Sequence, residues 1–189
     1  MKTMEVNDRL RRVILGQVFL LVVFIGILPI SGCSDISEIV HFKQGQTYAK
    51  KGQYDQAISE YSKAIESNPK FAEAYNNRGN AYSYKGQYDQ AISDYNKALE
   101  IKPKLAEAYN NRGNAYDSKG QYDQAISDYN KAIQINPEYV EAYNNRGVAY
   151  KRKGEYDKAW DDVHKAQSLG LQVNSGFLRD LREASGRQK

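Results

Sequence analysis

Asparagines return at a fixed interval: Asn76, Asn77 and Asn80, then Asn110, Asn111 and Asn114, then Asn144 and Asn145, each set 34 residues after the last. A carboxamide offers an acceptor oxygen and two donor hydrogens. A peptide bond offers the complementary pair. A row of asparagines can therefore hold an extended chain by its backbone, with little regard for its side chains. Opposite charges share the interval: Arg78, Arg112 and Arg146 are each followed by Asp94, Asp128 and Asp162 at one constant spacing.

No catalytic constellation accompanies these residues. His41 and His164 are far apart and stand at non-equivalent points of the period. One cysteine, Cys33, allows neither an intramolecular disulfide nor a zinc site at Cys/His spacing. The glycines are isolated and form no phosphate-cradling loop. The sequence predicts no enzymatic activity, no cofactor and no metal.

The chemistry left over sits near the start. Lys2, Arg9, Arg11 and Arg12 precede Val13–Ile30, which carries no charge, and Ser31-Gly32-Cys33 follows. A basic stretch, an apolar stretch and small residues describe a secretory signal. Ile30-Ser31-Gly32-Cys33 resembles a bacterial lipobox. That resemblance implies a diacylglyceryl group on Cys33, cleavage just before it, and a chain tethered to the cell envelope. With Ser34 next, it implies the outer membrane, periplasmic face. The competing reading is an uncleaved transmembrane anchor in the inner membrane, since eighteen apolar residues just span a bilayer. Outside residues 1–32, 23 basic residues face 21 acidic ones. That balance excludes a nucleic-acid footprint, which needs clustered basic charge.

Elements must position the asparagines, and the period supplies them. Residues 72–105 and 106–139 differ at seven places only. Gly45, Gly79, Gly113 and Gly147 share the spacing, as do Ala57, Ala91, Ala125 and Ala159. The repeats run 38–71, 72–105, 106–139 and 140–173, after a short tether at 33–37. Within one repeat, Tyr75, Gly79 and Tyr82 fall on one face of a first helix, and Ala91, Tyr95, Ala98 and Leu99 on one face of a second. Gly86 is placed to end the first helix in a left-handed conformation, and Asp89 to cap the second through its side-chain oxygen. Pro103 cannot continue the second helix. Of sixteen tyrosines, all but Tyr84 and Tyr139 stand at places 4, 11, 17 or 24 of a repeat, as core residues would.

A 34-residue period with Tyr75 at place 4, Gly79 at 8, Tyr82 at 11, Ala91 at 20, Tyr95 at 24, Ala98 at 27 and Pro103 at 32 resembles the tetratricopeptide-repeat (TPR) family. The resemblance covers the four repeats. It implies an all-α fold: a right-handed α-α superhelix of four hairpins. The remainder, 174–189, reads as a polar-faced capping helix over Ser175–Ala184 with Phe177, Leu178 and Leu181 turned inward, and Trp160 beneath it. Place 7, usually aliphatic in the family, is arginine in repeats two to four. The aspartate at place 23 changes with it, which predicts one structural ion pair per repeat.

The resemblance also implies a concave groove lined by places 2, 5, 6, 9, 12 and 13. Those places hold Asn76, Asn77, Asn80, Asn110, Asn111, Asn114, Asn144 and Asn145, so these residues are the predicted peptide contacts; the competing reading is generic consensus. A carboxylate clamp for acidic C-termini is disfavoured, because glutamate and asparagine occupy its basic places and only Lys43 matches. The predicted function is a membrane-tethered scaffold holding a segment of an envelope protein, as in secretin-assembly or cell-wall machinery. The alternatives are self-assembly, including a homodimer, or an accessory subunit of an envelope enzyme.

Overall fold

Each repeat switches twice between apolar helical spacing and a turn, and so folds as two helices. The computed structural model describes residues 32–186, with side chains from Ile36 onward. The expected signal segment, all but its last residue, and the Cys33 side chain fall outside the described residues. Among those described there are nine helices and no strand: α1 (Gly32–Lys50), α2 (Tyr54–Ser67), α3 (Ala72–Tyr84), α4 (Tyr88–Ile101), α5 (Ala106–Ser118), α6 (Tyr122–Ile135), α7 (Val140–Arg152), α8 (Tyr156–Ser168) and α9 (Ser175–Ser185). The first eight form four hairpins, each packed on the next, and the unit from Asp35 onward is an all-α solenoid. Residues 33–37, read from the sequence as a tether, are helical. No glycine or proline lies between Cys33 and Gln44, so nothing breaks α1 there.

The turn inside each hairpin is fixed by its glycine. Gly86 has φ 72°, Gln87 N–H donates to the Tyr82 carbonyl at 2.9 Å, and Gly86 N–H to that of Ser83 at 2.9 Å. This is a Schellman closure. The second helix starts at Tyr88, after Gln87, without a side-chain cap. The expected cap by Asp89 is therefore corrected. Asp89 lies inside the first turn, where its charge suits the helix dipole, and Lys119 of the next repeat donates to it at 2.5 Å. Lys85–Asp55 and Lys153–Asp123 repeat this exposed bridge along the array.

Tyrosine packs where glycine makes room. Tyr61, Tyr95 and Tyr129 at place 24 are almost fully buried, and each ring lies against the glycine at place 8 of its own hairpin. A Cβ on Gly113 would stand 2.6 Å from Tyr129 Cε1. In the fourth repeat Val163 replaces that tyrosine, and a Cβ on Gly147 meets only Asp162 Cβ at 3.3 Å and the Ala159 carbonyl at 3.4 Å. Gly113→Ala therefore destabilises by about 1–3 kcal/mol through overpacking. Gly147→Ala stays within about 1 kcal/mol of wild type, because gained helix propensity offsets the tight contact. Urea melts of the two variants check this contrast.

The C-terminal end is closed by α9. Asn174 accepts from the amides of Gly176 (2.8 Å) and Phe177 (3.1 Å), a side-chain N-cap. Gly186, left-handed at φ 68°, ends the helix. Leu181 joins Ala159, Trp160 and Val163 in one buried cluster, with Phe177 and Leu178 packed against it.

Candidate functional site

The first helices of the hairpins place their asparagines in two ranks with different fates. The place-5 rank faces the seam between repeats: Asn76 is 2% and Asn110 4% exposed. Asn111 Nδ2 donates to Asn76 Oδ1 at 3.2 Å, and Asn145 Nδ2 to Asn110 Oδ1 at 3.1 Å. Asn76 Nδ2 in turn donates to Glu107 Oε1 at 3.1 Å. Asn76 and Asn110 are thus corrected from peptide contacts to seam residues. A neighbouring repeat covers them, and buried amides must be satisfied inside the fold. Asn144, in the last repeat, is half-buried.

Places 6 and 9 open outward. Asn77 and Asn80 line a cavity of about 320 Å³ between repeats one and two, with Tyr61 and Lys50. Asn80, Asn111 and Asn114 line another of about 300 Å³ between repeats two and three, with Tyr88, Tyr95 and Ser118. Tyr84, 73% exposed, borders both. Place 9 is anchored from below. Tyr95 donates to Asn80 Oδ1 at 2.7 Å and Tyr129 to Asn114 Oδ1 at 2.8 Å. Each bond uses the carboxamide oxygen and leaves the NH₂ out of it. In the fourth repeat the tyrosine and the asparagine are lost together, as Val163 and Val148. Burial pushes the Tyr61 hydroxyl up to about 12 and those of Tyr95 and Tyr129 up as well, so all three remain hydrogen-bond donors at neutral pH.

Behind the groove, the arginines fix the geometry of the hairpins. Arg78 Nε and Nη2 hold Asp94 at 2.7 Å each; Arg112 holds Asp128 in the same way. Arg146 holds Asp162 at 2.8 and 2.6 Å. The remaining nitrogen reaches the preceding repeat, as Arg112 Nη1 does to Asn96 Oδ1 at 2.6 Å. Each guanidinium also lies 5.5–5.6 Å from the ring of its own place-4 tyrosine, Tyr75, Tyr109 or Tyr143. The bonds to Asp94 and Asp128 raise the Arg78 and Arg112 pKa values above their ordinary range. Burial holds the Asp162 carboxyl above its ordinary value despite Arg146. That balance fits a pair that specifies geometry more than it adds stability. The first repeat has Gln44 and Glu60 instead, and Glu60 takes His41 and Lys63 at 2.6 Å each.

The place-17 tyrosines Tyr54 and Tyr88 read from sequence as core alone, yet Tyr88 lines the cavity between repeats two and three. The signal was Tyr84, one of the two tyrosines outside the repeating places. It stacks on Tyr54 with centroids 4.9 Å apart and planes 7° apart. No group of three or more metal-ligating side chains occurs among the described residues, and no helix there is long and apolar enough to cross a membrane.

The family description "TPR repeat" matches residues 45–86 and 113–154, and "Tetratricopeptide repeat" matches 72–105, 94–127 and 140–169. Among solved structures, the crystal structure of MamA is 32% identical, covering 73% of this chain and 81% of that chain with a TM-score of 0.66. The first TPR of Spaghetti (RPAP3), bound to the HSP90 peptide SRMEEVD, is 29% identical over 61% of this chain and 91% of its own, TM-score 0.60. The Arabidopsis OM64 TPR domain is 29% identical over 62% and 98%, TM-score 0.61. Comparison with curated proteins returns no match.

Proposed function

Because the chain belongs to the tetratricopeptide-repeat family, we propose that it is a protein-interaction scaffold that holds an extended peptide by its main chain in the groove of repeats one to three. The carrying observation is the place-9 arrangement: Asn80 and Asn114 line the cavities with their oxygens held by buried tyrosine hydroxyls, which leaves their NH₂ groups for a ligand. Asn77 and Asn111 stand beside them. Oriented donors spend little entropy on binding. A solved TPR relative bound to the peptide SRMEEVD supports peptide binding as the mode. Here Glu73 is paired with Lys102, and Glu107 and Glu141 at place 2 would meet an acidic tail with like charge, so the ligand of this chain is neutral or basic. The sequence around Cys33 supplies the address in this reading: a lipid tether that holds the scaffold at the outer membrane, where its client is an envelope protein. Self-assembly and an accessory role in an enzyme complex have no residue here that favours them.

Main-chain recognition has a distinctive test. On the detergent-solubilised full chain, a bound peptide loses about tenfold in affinity, roughly 1.4 kcal/mol, when one central amide is replaced by an ester, which weakens its carbonyl as an acceptor and removes its N–H. Scrambling its groove-facing side chains, outside any one preferred position, changes affinity only a few-fold. The reverse pattern in titration calorimetry would contradict the proposal. The tether is read by intact mass: a mature chain starting at acylated Cys33 supports it, and an uncleaved chain starting at Met1 contradicts it.

A further inference from the structure

The three seams between repeats are built alike but closed differently. At each, the place-17 tyrosine of one repeat meets place 13 of the next. At the first seam Tyr84 stacks flat on Tyr54. At the third, Arg152 lies 6.0 Å from the Tyr122 centroid and donates to Asp117 Oδ2. At the middle seam Tyr88 meets Ser118, whose side chain is too short to cover it. Among the described residues no ring or cation lies over Tyr88, and the cavity of about 300 Å³ opens there.

Place 12 decides which planar group closes a seam. Asp117 supplies the carboxylate that Arg152 needs. Ala49 supplies none, and the first seam is closed by a ring. The middle seam has Ser83, which is neutral and lies 3.3 Å from the Tyr95 hydroxyl. A guanidinium seated there would lack its counter-charge, and the cavity is lined by no charged side chain. A ring would find the uncovered Tyr88 and the Tyr84 side chain at the cavity wall, with the amides of Asn80 and Asn114 for a polar edge.

Building on the groove reading above, we propose that the cavity between repeats two and three seats one neutral aromatic side chain of the bound peptide, tyrosine or tryptophan. It sets the register of a peptide otherwise gripped by its backbone.

The test is selection of a random peptide library on the detergent-solubilised full chain, wild type against Ser118→Tyr. The substituted ring would cover Tyr88 as Tyr84 covers Tyr54. Wild type enriches tyrosine or tryptophan at one position, and replacing that residue by alanine costs about tenfold in affinity, the equivalent of roughly 1.4 kcal/mol. Ser118→Tyr still binds peptides but loses the preference. Enrichment without an aromatic position, enrichment of a charged residue there, or a preference that survives Ser118→Tyr overturns the pocket and leaves the groove standing. No enriched peptide on either protein overturns the groove and the pocket together.

Discussion

Asp128→Ala lowers the stability of the array by about 3–5 kcal/mol, toward the lower end because Arg112 keeps some contact with water. Asp128 is 5% exposed, and its carboxylate satisfies two guanidinium nitrogens at 2.7 Å. Without it the cation stays beneath the Tyr109 ring with Asn96 as its remaining partner. Arg112→Leu has a comparable cost, since it strands a buried aspartate. The double variant Arg112→Leu/Asp128→Ala, which places an aliphatic residue where the family usually has one, costs less than the sum. The coupling reaches about 1 kcal/mol or more, a size typical of residues in direct contact. Chemical denaturation of the four proteins measures it. Additive costs would mean that the pair is incidental to the hairpin.

Trp160→Ala removes the largest side chain under the cap and costs about 3–5 kcal/mol at that end of the array. Trp160 is buried against Leu181, Phe177 and Leu178, and its indole Nε1 donates to Ser185 Oγ at 3.2 Å. A repeat array is stabilised by nearest neighbours, so the loss stays local. Hydrogen exchange quickens in α8 and α9 and changes little in α3 and α4. Uniform loss of protection would instead mark the solenoid as one cooperative block.

Much of this was legible in the sequence because repetition makes local signals consistent. The period gave the hairpins, and Gly86 gave the turn with its left-handed φ. Phe177, Leu178 and Leu181 gave the cap. The failures came where a neighbour decides. Asp89 looks like an N-cap in isolation, but the helix begins one residue earlier and Lys119 of the next repeat draws the carboxylate outward. Asn76 and Asn77 are adjacent and identical in type, yet the seam takes one and the groove the other. Nothing in the pair itself distinguishes them; only the packing of the following repeat does. The open seam was invisible for the same reason, since Ser118 matters only because Tyr88 lies across from it.

The side-chain amides of asparagine report most directly on whether the groove grips a backbone. In the detergent-solubilised full chain, isotope-labelled Asn80 and Asn114 carboxamides are observed by NMR while peptide is added. The signals of Asn80 and Asn114 are expected to shift and slow their exchange with water, while those of the buried Asn76 and Asn110 stay in place. Shifts confined to the ends of the array or to its outer face, with Asn80 and Asn114 unmoved at saturation, would contradict the account.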